Sequence, residues 1–258
     1  MKIVVSLKVV ADYEQVRMAQ GATSLDTSSV PRVVYTFDEL ALEVALRQKD
    51  ADASNEIVVV CQAAAADKVR DVVKKALAMG ADRAVIIEDA KAAEHDSLVQ
   101  GKILKAALEK LGGVDVLIFG IPGIQGEAFH AGGEVAGLLG WPVVSYASDV
   151  KAAGTTLTVE RLIERGTQTV EVQTPAVVMV GKFPQDPRLP TFKGIMGAKN
   201  KPLETWTLAD LGLADVTAGV RTDSVAPPPA RGAGRKLEGD AADTAKEAVL
   251  ALRGKQFI

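Results

Sequence analysis

Glycines recur after one apolar run of this chain, at Gly120, Gly123 and Gly126, and the acid Glu127 follows them. Backbone N–H groups approach a phosphate closely where glycine replaces larger residues, and a helix that begins there favours negative charge. The spacing therefore predicts a phosphate or nucleotide site, although the same glycines could simply turn a strand into a helix. The chain has no G-x-x-x-x-G-K-[ST] sequence, so phosphoryl transfer of the P-loop type is not favoured.

Thiols and imidazoles are scarce, with one cysteine, Cys61, and two histidines, His95 and His130. One thiol cannot form an internal disulfide, and so few ligands cannot hold structural zinc or an iron–sulfur cluster. Cys61 ends an apolar run, which favours a small buried hydrophobe over a reactive thiol. His130 lacks a nucleophile or carboxylate near it in sequence, which favours a structural role. We predict no catalytic residue and no metal site, so any cofactor is organic or bound by carboxylates.

The composition is typical of a globular protein, with 258 residues, 48% apolar, 24% charged and a formal net charge of −3. No run approaches the roughly 20 apolar residues that span a bilayer, so membrane insertion is not expected. The small net charge provides no field that would attract nucleic acid. The first apolar run is too short for a signal peptide, and we expect a cytoplasmic protein.

Short apolar runs alternate with amphipathic segments over the first half of the chain. The predicted strands lie near 3–7, 57–61, 83–87 and 114–120, and the predicted helices near 38–46, 67–79, 96–111 and 127–139. Such alternation indicates βαβ units and a parallel sheet, and Gly80 is placed to end the second helix. The predicted fold class is α/β, an open, mostly parallel sheet flanked by helices, Rossmann-like and of the adenine-nucleotide-binding type.

The second half adds a hairpin and an arm to this sheet. Residues 155–161 and 167–172 alternate polar and apolar, which predicts a β-hairpin with one solvated face. The apolar run 175–180 predicts a buried strand that rejoins the main sheet. We predict an α/β nucleotide-binding domain over 1–204 and an extended C-terminal arm over 205–258. The arm is expected to end in a helix near 243–252 and to pack on a partner subunit.

Prolines and glycines predict a long loop over 183–200. The lysines in and directly after this loop, Lys193, Lys199 and Lys201, are expected to form a solvated surface. Phe192 and Met196 are apolar side chains that a loop has no local reason to carry, which indicates a partner-binding surface.

Several segments, taken together and in order, resemble the beta subunit family of electron transfer flavoprotein. The resemblance covers most of the chain. It rests on residues 5–13, 37–43, 76–83, 136–142, 159–166, 175–178, 186–188, 195–196, 198–199 and 201–204.

The resemblance implies an electron carrier rather than an enzyme. Such a subunit forms a heterodimer with an alpha subunit, which holds most of the redox FAD. The complex carries electrons from flavoprotein dehydrogenases, such as the acyl-CoA dehydrogenases of fatty acid oxidation, to a membrane quinone oxidoreductase or another acceptor. The family's beta subunits also bury a nucleotide, AMP in ordinary carriers and a second FAD in electron-bifurcating ones.

The resemblance also implies roles for particular residues. Tyr13 would lie near the ring of the redox flavin, and Phe192 would replace the usual leucine as the anchor of a recognition loop, beside Ile195 and Met196. The other residues implied in cofactor binding are Ser6, Tyr35, Thr36, Phe37, Asp38, Ala64, Gly120, Gly123, Gln125, Gly126, Glu127, Ala128, Phe129, His130, Ala131 and Gly132.

The glycine-rich segment departs from both patterns of the family. Gly126, the acid Glu127 and Gly132 match, but the side-chain amide and hydroxyl that the family places between them are missing. The loss of such hydrogen bonds, worth about 0.5–1.5 kcal/mol each, leaves AMP, a second FAD or no nucleotide open in this subunit. A stand-alone AMP or ATP sensor of the same α/β superfamily is the alternative function. An enzyme acting on adenylates would need a lysine and paired carboxylates in the segment, which has neither.

Overall fold

The structure, a computed structural model, describes residues 1–12, 14–16, 27, 29–92, 95–121, 131–181, 186–213, 216–220, 223–224, 229 and 232–258. The elements are, in chain order, β1 Lys2–Ser6, β2 Val9–Ala11, β3 Arg32–Val34, α1 Thr36–Ala51, β4 Glu56–Ala63, α2 Ala66–Met79, β5 Arg83–Glu88, α3 Ser97–Leu111, β6 Val116–Gly120, α4 Ala131–Leu139, β7 Val143–Ala153, β8 Thr156–Ile163, β9 Gly166–Gln173, β10 Ala176–Val180, α5 Phe192–Ala198, β11 Leu203–Thr207, a 3₁₀ turn Ala209–Leu211, and α6 Ala241–Gly254.

The strands form one large sheet in the order β11-β5-β4-β1-β6-β10-β7-β8-β9, and β2 and β3 form a small antiparallel sheet. All neighbours from β11 to β7 are parallel, whereas β7, β8 and β9 pair antiparallel. The α/β fold class is confirmed, as are the hairpin and the buried strand that rejoins the main sheet.

Helices cover both faces of the parallel strands, which explains the continuous apolar runs. Helices α1 and α2 pack on one face, against side chains such as Ile3 and Val5, and α3 and α4 pack on the other, against Val4 and Val58. All four of these strand residues are at most 1% exposed.

The helix ends follow local rules. Gly80 ends α2 with φ +141°, a conformation that side chains rarely adopt, as predicted from its position. The Asp96 carboxylate caps α3 by accepting a hydrogen bond from Val99 N at 2.9 Å. The start of α2 has no such side chain of its own, and Ala66 N donates instead to Glu88 at the end of β5.

Four strands of the fold were not predicted from the sequence. The sequence does not reveal strand β7, because its pairing shifts register near Tyr146 both with β10 and with β8. Tyr146 itself has a positive φ of +59°. Strand β11 is short and buries only Trp206, and β2 and β3 have three residues each. The boundary expected after residue 204 falls inside β11, which pairs with β5; the two-domain division stays a prediction.

The expected terminal helix is present as α6. It has no buried residue, and Leu250, Phe257 and Ile258 are all more than 60% exposed. No helix among the described residues is both long and apolar enough to cross a bilayer.

Candidate functional site

The sheet reverses its winding beside β1. From β1 the chain builds β4 and β5 on one side and then returns to build β6 on the other. At such a point the loops after the strands diverge and leave a crevice at the carboxyl edge, where open α/β sheets bind ligands. The residues after β1, β4, β5 and β6 are therefore the candidates for a site.

Asp38, in the first turn of α1, joins the loops that border this crevice. Its carboxylate is fully buried and accepts hydrogen bonds from Lys8 N at 2.7 Å, Lys8 Nζ at 3.2 Å and Gly120 N at 3.2 Å. Lys8 Nζ also lies 4.9 Å from the ring centre of Tyr35, within cation–π distance. Asp38 thus fixes the start of α1 to the ends of β1 and β6.

Two of the predicted glycines allow close packing at this edge. A Cβ on Gly120 would overlap the Phe37 carbonyl and the Asp38 nitrogen, and one on Gly132 would come within 2.8 Å of the Met179 side chain. Gly120 lets α1 approach β6, and Gly132 lets α4 approach β10. Gly120 therefore has a packing role, which neither the predicted phosphate site nor a simple turn requires.

A cavity of about 230 Å³ opens at the carboxyl ends of β1, β4, β5 and β6, under α3 and α4. Its lining residues are Ser6, Leu7, Lys8, Val9, Val10, Val60, Gln62, Ile87, Ala92, Gln100, Gly101, Leu104, Phe119, Ala131 and Val135. The volume is below the roughly 300–1,000 Å³ of sites that enclose a whole drug-sized ligand, so the cavity suits one ring of a larger molecule.

The structure brings some of the predicted site residues together. Ser6 and Ala131 line the cavity, and Tyr35, Thr36, Phe37 and Asp38 lie at the start of α1. Gly120 packs against α1, and Gly132 packs against β10. Ala64 is exposed after β4. The residues Tyr13, Gly123, Gln125, Gly126, Glu127, Ala128, Phe129 and His130 lie outside the described residues.

Gln62 and Gln100 also line the cavity, and neither was singled out as a site residue from the sequence. They are common polar residues on separate elements, so only the fold shows that they are neighbours. Cys61 is fully buried, and desolvation raises the pKa of its thiol to about 12. The burial agrees with the prediction of a small buried hydrophobe. The described part of the chain holds no cluster of three or more side chains suited to a metal ion.

The partner-binding prediction on the loop 183–200 requires one correction, because Phe192, Ile195 and Met196 lie on a helix, α5, and not in a loop. Thr191 caps this helix by accepting a hydrogen bond from Gly194 N at 3.0 Å. The side chains stay exposed, with Phe192 at 81% and Ile195 and Met196 at 51% each. We call these three residues, with Leu189 at 80%, the apolar patch.

Close packing against α2 holds α5 in place. A Cβ on Gly194 would overlap the carbonyl of Ala78, so the two helices touch at backbone level. Lys201 was expected on a solvated surface, but its ammonium donates to Leu77 O at 2.9 Å and Ala81 O at 2.7 Å. Desolvation lowers its pKa. Lys201 therefore caps the end of α2.

Arg188 fixes the segment that leads into α5. Its guanidinium donates to both carboxylate oxygens of the buried Glu43, at 2.8 and 3.0 Å, and to Asp50 at 2.6 Å. Burial alone would raise the pKa of Glu43, but the hydrogen bonds and charge of Arg188 hold that pKa below its ordinary value. We call this set, Arg188 with Glu43 and Asp50, the arginine clamp.

The fold and the site define an α/β protein of the open, doubly wound class, with its candidate ligand site at the switch point and an exposed apolar patch on α5, against the C-terminal end of α2. A model of the electron transfer flavoprotein domain matches residues 23–211. The chain is 31% identical to the electron transfer flavoprotein subunit beta of Megasphaera elsdenii over 92% of both chains. The identity is 34% to the human subunit beta, over 92% of this chain and 93% of the human one.

A further relative is the caffeyl-CoA reductase-Etf complex subunit CarD of Acetobacterium woodii, which is 30% identical over all of both chains. The chain therefore belongs to the electron transfer flavoprotein family. Its role is electron transfer in association with flavin.

Proposed function

We propose that this chain is the beta subunit of a heterodimeric electron transfer flavoprotein, with most of the redox FAD held by an alpha subunit. The alignment to beta subunits over 92% of the chain carries this proposal. When bound, the flavin supplies the redox chemistry, while the protein supplies position, electrostatics and partner contacts. The chain is not an enzyme by itself in this proposal, and the stand-alone nucleotide sensor is not favoured.

The donor of electrons is a flavoprotein dehydrogenase acting on CoA esters, in keeping with the name of the Acetobacterium relative and with the family's acyl-CoA dehydrogenases. The acceptor is a membrane quinone oxidoreductase or a comparable protein. The proposal fails if the chain, co-expressed with the alpha subunit, purifies as a colourless monomer.

A nucleotide in this subunit fits the crevice at the switch point. Ser6 and Ala131 would contact it from the cavity, and the start of α1 would border it. The experiment is to denature the purified heterodimer and to identify the nucleotides that it releases. One FAD with AMP indicates an ordinary carrier, and two FAD indicate electron bifurcation. One FAD alone would contradict a nucleotide in this subunit.

Phe192 is proposed as the anchor that inserts into the dehydrogenase. We expect Phe192→Ala to raise the KM of the dehydrogenase for the carrier about 30-fold, which corresponds to about 2 kcal/mol, the cost typical of a central aromatic anchor. Since the ring is 81% exposed, the melting temperature should not change. Steady-state assays at varied carrier concentration measure this effect. Lys193→Ala on the same helix is the control, and an equal KM for Phe192→Ala and the wild type would refute the anchor.

The arm is proposed to wrap the alpha subunit, because α6 and the terminal Phe257 and Ile258 expose apolar side chains that nothing in the described chain covers. Truncation at about residue 226 should weaken heterodimer association at least tenfold. Residues 1–200 should keep their circular dichroism and their unfolding midpoint, because α6 has no buried residue. Analytical ultracentrifugation measures the association, and an unchanged subunit affinity would refute the role of the arm.

A further inference from the structure

The chain after β11 forms a strap that runs along α3. The strap comprises the described residues 208–213 and 216–220. Four of its side chains pack against the core cluster to which α3 contributes, namely Leu208, Leu211, Leu213 and Val216. No described residue after Val220 is buried. Among the described residues of the arm, packing against this core therefore ends with the strap.

Two polar contacts fix the strap at opposite ends of α3. In the last turn of the helix, Lys110 Nζ donates to Asp210 O at 3.1 Å. At the N-cap, the Asp96 carboxylate accepts hydrogen bonds from Gly219 N at 2.6 Å and from Val220 N at 3.1 Å. The strap thus runs from the last turn of α3 to its start, and Asp96 holds the residues at which the arm leaves the helix.

The two carboxylate oxygens of Asp96 have separate partners. Oδ1 accepts a hydrogen bond from Val99 N at 2.9 Å and caps α3, whereas Oδ2 accepts both bonds from the strap. The hydrogen bonds from Val99 N and Gly219 N hold the pKa of Asp96 below its ordinary value, so the carboxylate is charged at neutral pH. Hydrogen bonds to an ionised acceptor are about twice as strong as neutral ones. Oδ2 therefore serves the strap and not the helix.

The residue before Asp96 is tied to the end of β5, so this contact has a fixed base. His95 Nε2 lies 2.7 Å from Asp89 Oδ2, and the two side chains are only 3% and 4% exposed. Gln62 Nε2, near the end of β4, donates to the same oxygen at 3.3 Å. The strap is therefore bound to a point that the central sheet holds in place.

We propose that Asp96 is a positioning residue that latches the strap to α3 and presets the direction in which the C-terminal arm leaves toward its partner subunit. This inference rests on the proposed wrapping of the alpha subunit by the arm. A loose segment must be ordered when the subunits associate, whereas a latched one is ordered beforehand, so the latch lowers the entropy cost of association. We expect loss of the latch to weaken association about fivefold, which is less than loss of the arm itself.

Asp96→Ser separates the latch from the cap. Serine caps helices about as well as aspartate but has one side-chain oxygen, so α3 keeps its cap while the strap loses its acceptor. In the full-length chain, the amides of Gly219 and Val220 should then exchange with solvent at least about tenfold faster, as measured by NMR. Unchanged exchange of these two amides would overturn the latch.

Asp96→Ala is the matched comparison, because it removes the cap as well as the latch. It should lower the melting temperature by about 2–4 °C, whereas Asp96→Ser should change it by less than about 1 °C. An equal fall in both variants would show that Oδ2 supports the helix itself, contrary to the latch.

A double-mutant cycle tests whether the latch acts through the arm. Analytical ultracentrifugation measures heterodimer affinity for the full-length chain and for the chain truncated at about residue 226, each with and without Asp96→Ser. The substitution should weaken association about fivefold in the full-length chain and have no effect in the truncated one, which keeps the strap but lacks α6. An equal loss in both would mean that Asp96 meets the alpha subunit directly, and would overturn the inference.

The same cycle distinguishes this inference from the proposed role of the arm. If truncation weakens association while Asp96→Ser in the full-length chain does not, the latch alone is overturned. If truncation has no effect, the role of the arm is refuted, and the latch with it.

Discussion

Replacement of Arg188 by alanine should lower the free energy of unfolding by about 3 kcal/mol and weaken the binding of the dehydrogenase to the carrier. The substitution leaves the Glu43 carboxylate, whose side chain is 4% exposed, with Arg47 Nε at 3.1 Å as its remaining charged partner among the described residues. Removal of one partner of a buried ion pair costs about 3–5 kcal/mol, and we expect the lower end because Arg47 still donates to Glu43. For a chain of this size the loss corresponds to a fall of about 6–12 °C in melting temperature. Because Arg188 lies shortly before α5, the apolar patch should also lose its fixed position.

The two effects are measured separately, by thermal unfolding and by the KM of the dehydrogenase for the carrier. We expect the KM to rise at least as much as in Phe192→Ala, for which no thermal shift is expected. Arg235→Ala is a matched control, since Arg235 pairs with Glu247 at the surface, with side chains 73% and 44% exposed. That pair should contribute less than about 1 kcal/mol. Equal losses in the two arginine variants would contradict the arginine clamp.

The arginine clamp also predicts a pH dependence. Arg188 holds the pKa of Glu43 below its ordinary value of 4.5. A carboxylate with a lowered folded-state pKa adds stability that is complete above its unfolded pKa and is lost as the pH falls through the folded pKa. The stability difference between the wild type and Arg188→Ala should therefore be constant near neutral pH and shrink below about pH 4.5. Urea unfolding at pH 7, 5 and 3.5 measures it, and a difference that grows on acidification would contradict this assignment.

The layered sheet was predictable because its strands are buried on both faces. A strand residue such as Val58 must be apolar whichever helix packs on it, so these strands appear as apolar runs in the sequence. The alternation of apolar runs with helices allows few sheet topologies. By contrast, α5 contains Gly194 and Gly197, which weaken any helix by propensity. The helix exists because the backbone at Gly194 meets the Ala78 carbonyl, a tertiary contact that no local pattern encodes.

The site was only partly predictable for a related reason. Ser6 and Gly120 are the last residues of apolar strands, and the carboxyl edge of a parallel sheet is where sites form. Gln62, Asp89 and His95 are spread over three segments of the chain, and their types are ordinary on any surface. Gln62 lies beside Asp89, the residue after β5, only because β4 and β5 pair in parallel.

The second large effect is expected at Gly120, where alanine should displace the start of α1 from β6. The added Cβ would overlap the Phe37 carbonyl and the Asp38 nitrogen, which are backbone atoms that cannot rotate away. Overpacking of a buried contact costs about 1–3 kcal/mol, and we expect the upper end here because α1 must shift as a unit. The shift would also weaken the hydrogen bond from Gly120 N to the Asp38 carboxylate. Lys8 N donates to the same carboxylate, so the loop after β1 would lose its fixed position as well.

Two measurements follow from this displacement. The unfolding free energy of Gly120→Ala should fall by about 3 kcal/mol, and the nucleotide released per heterodimer should fall below half of the wild-type amount. Gly133→Ala on α4 is the control, because a Cβ there meets no atom within 4 Å. In the helix interior that change should instead stabilise the chain by about 1 kcal/mol and leave the nucleotide content unchanged. If Gly120→Ala kept full stability but lost nucleotide, Gly120 would serve the ligand directly rather than the packing of α1.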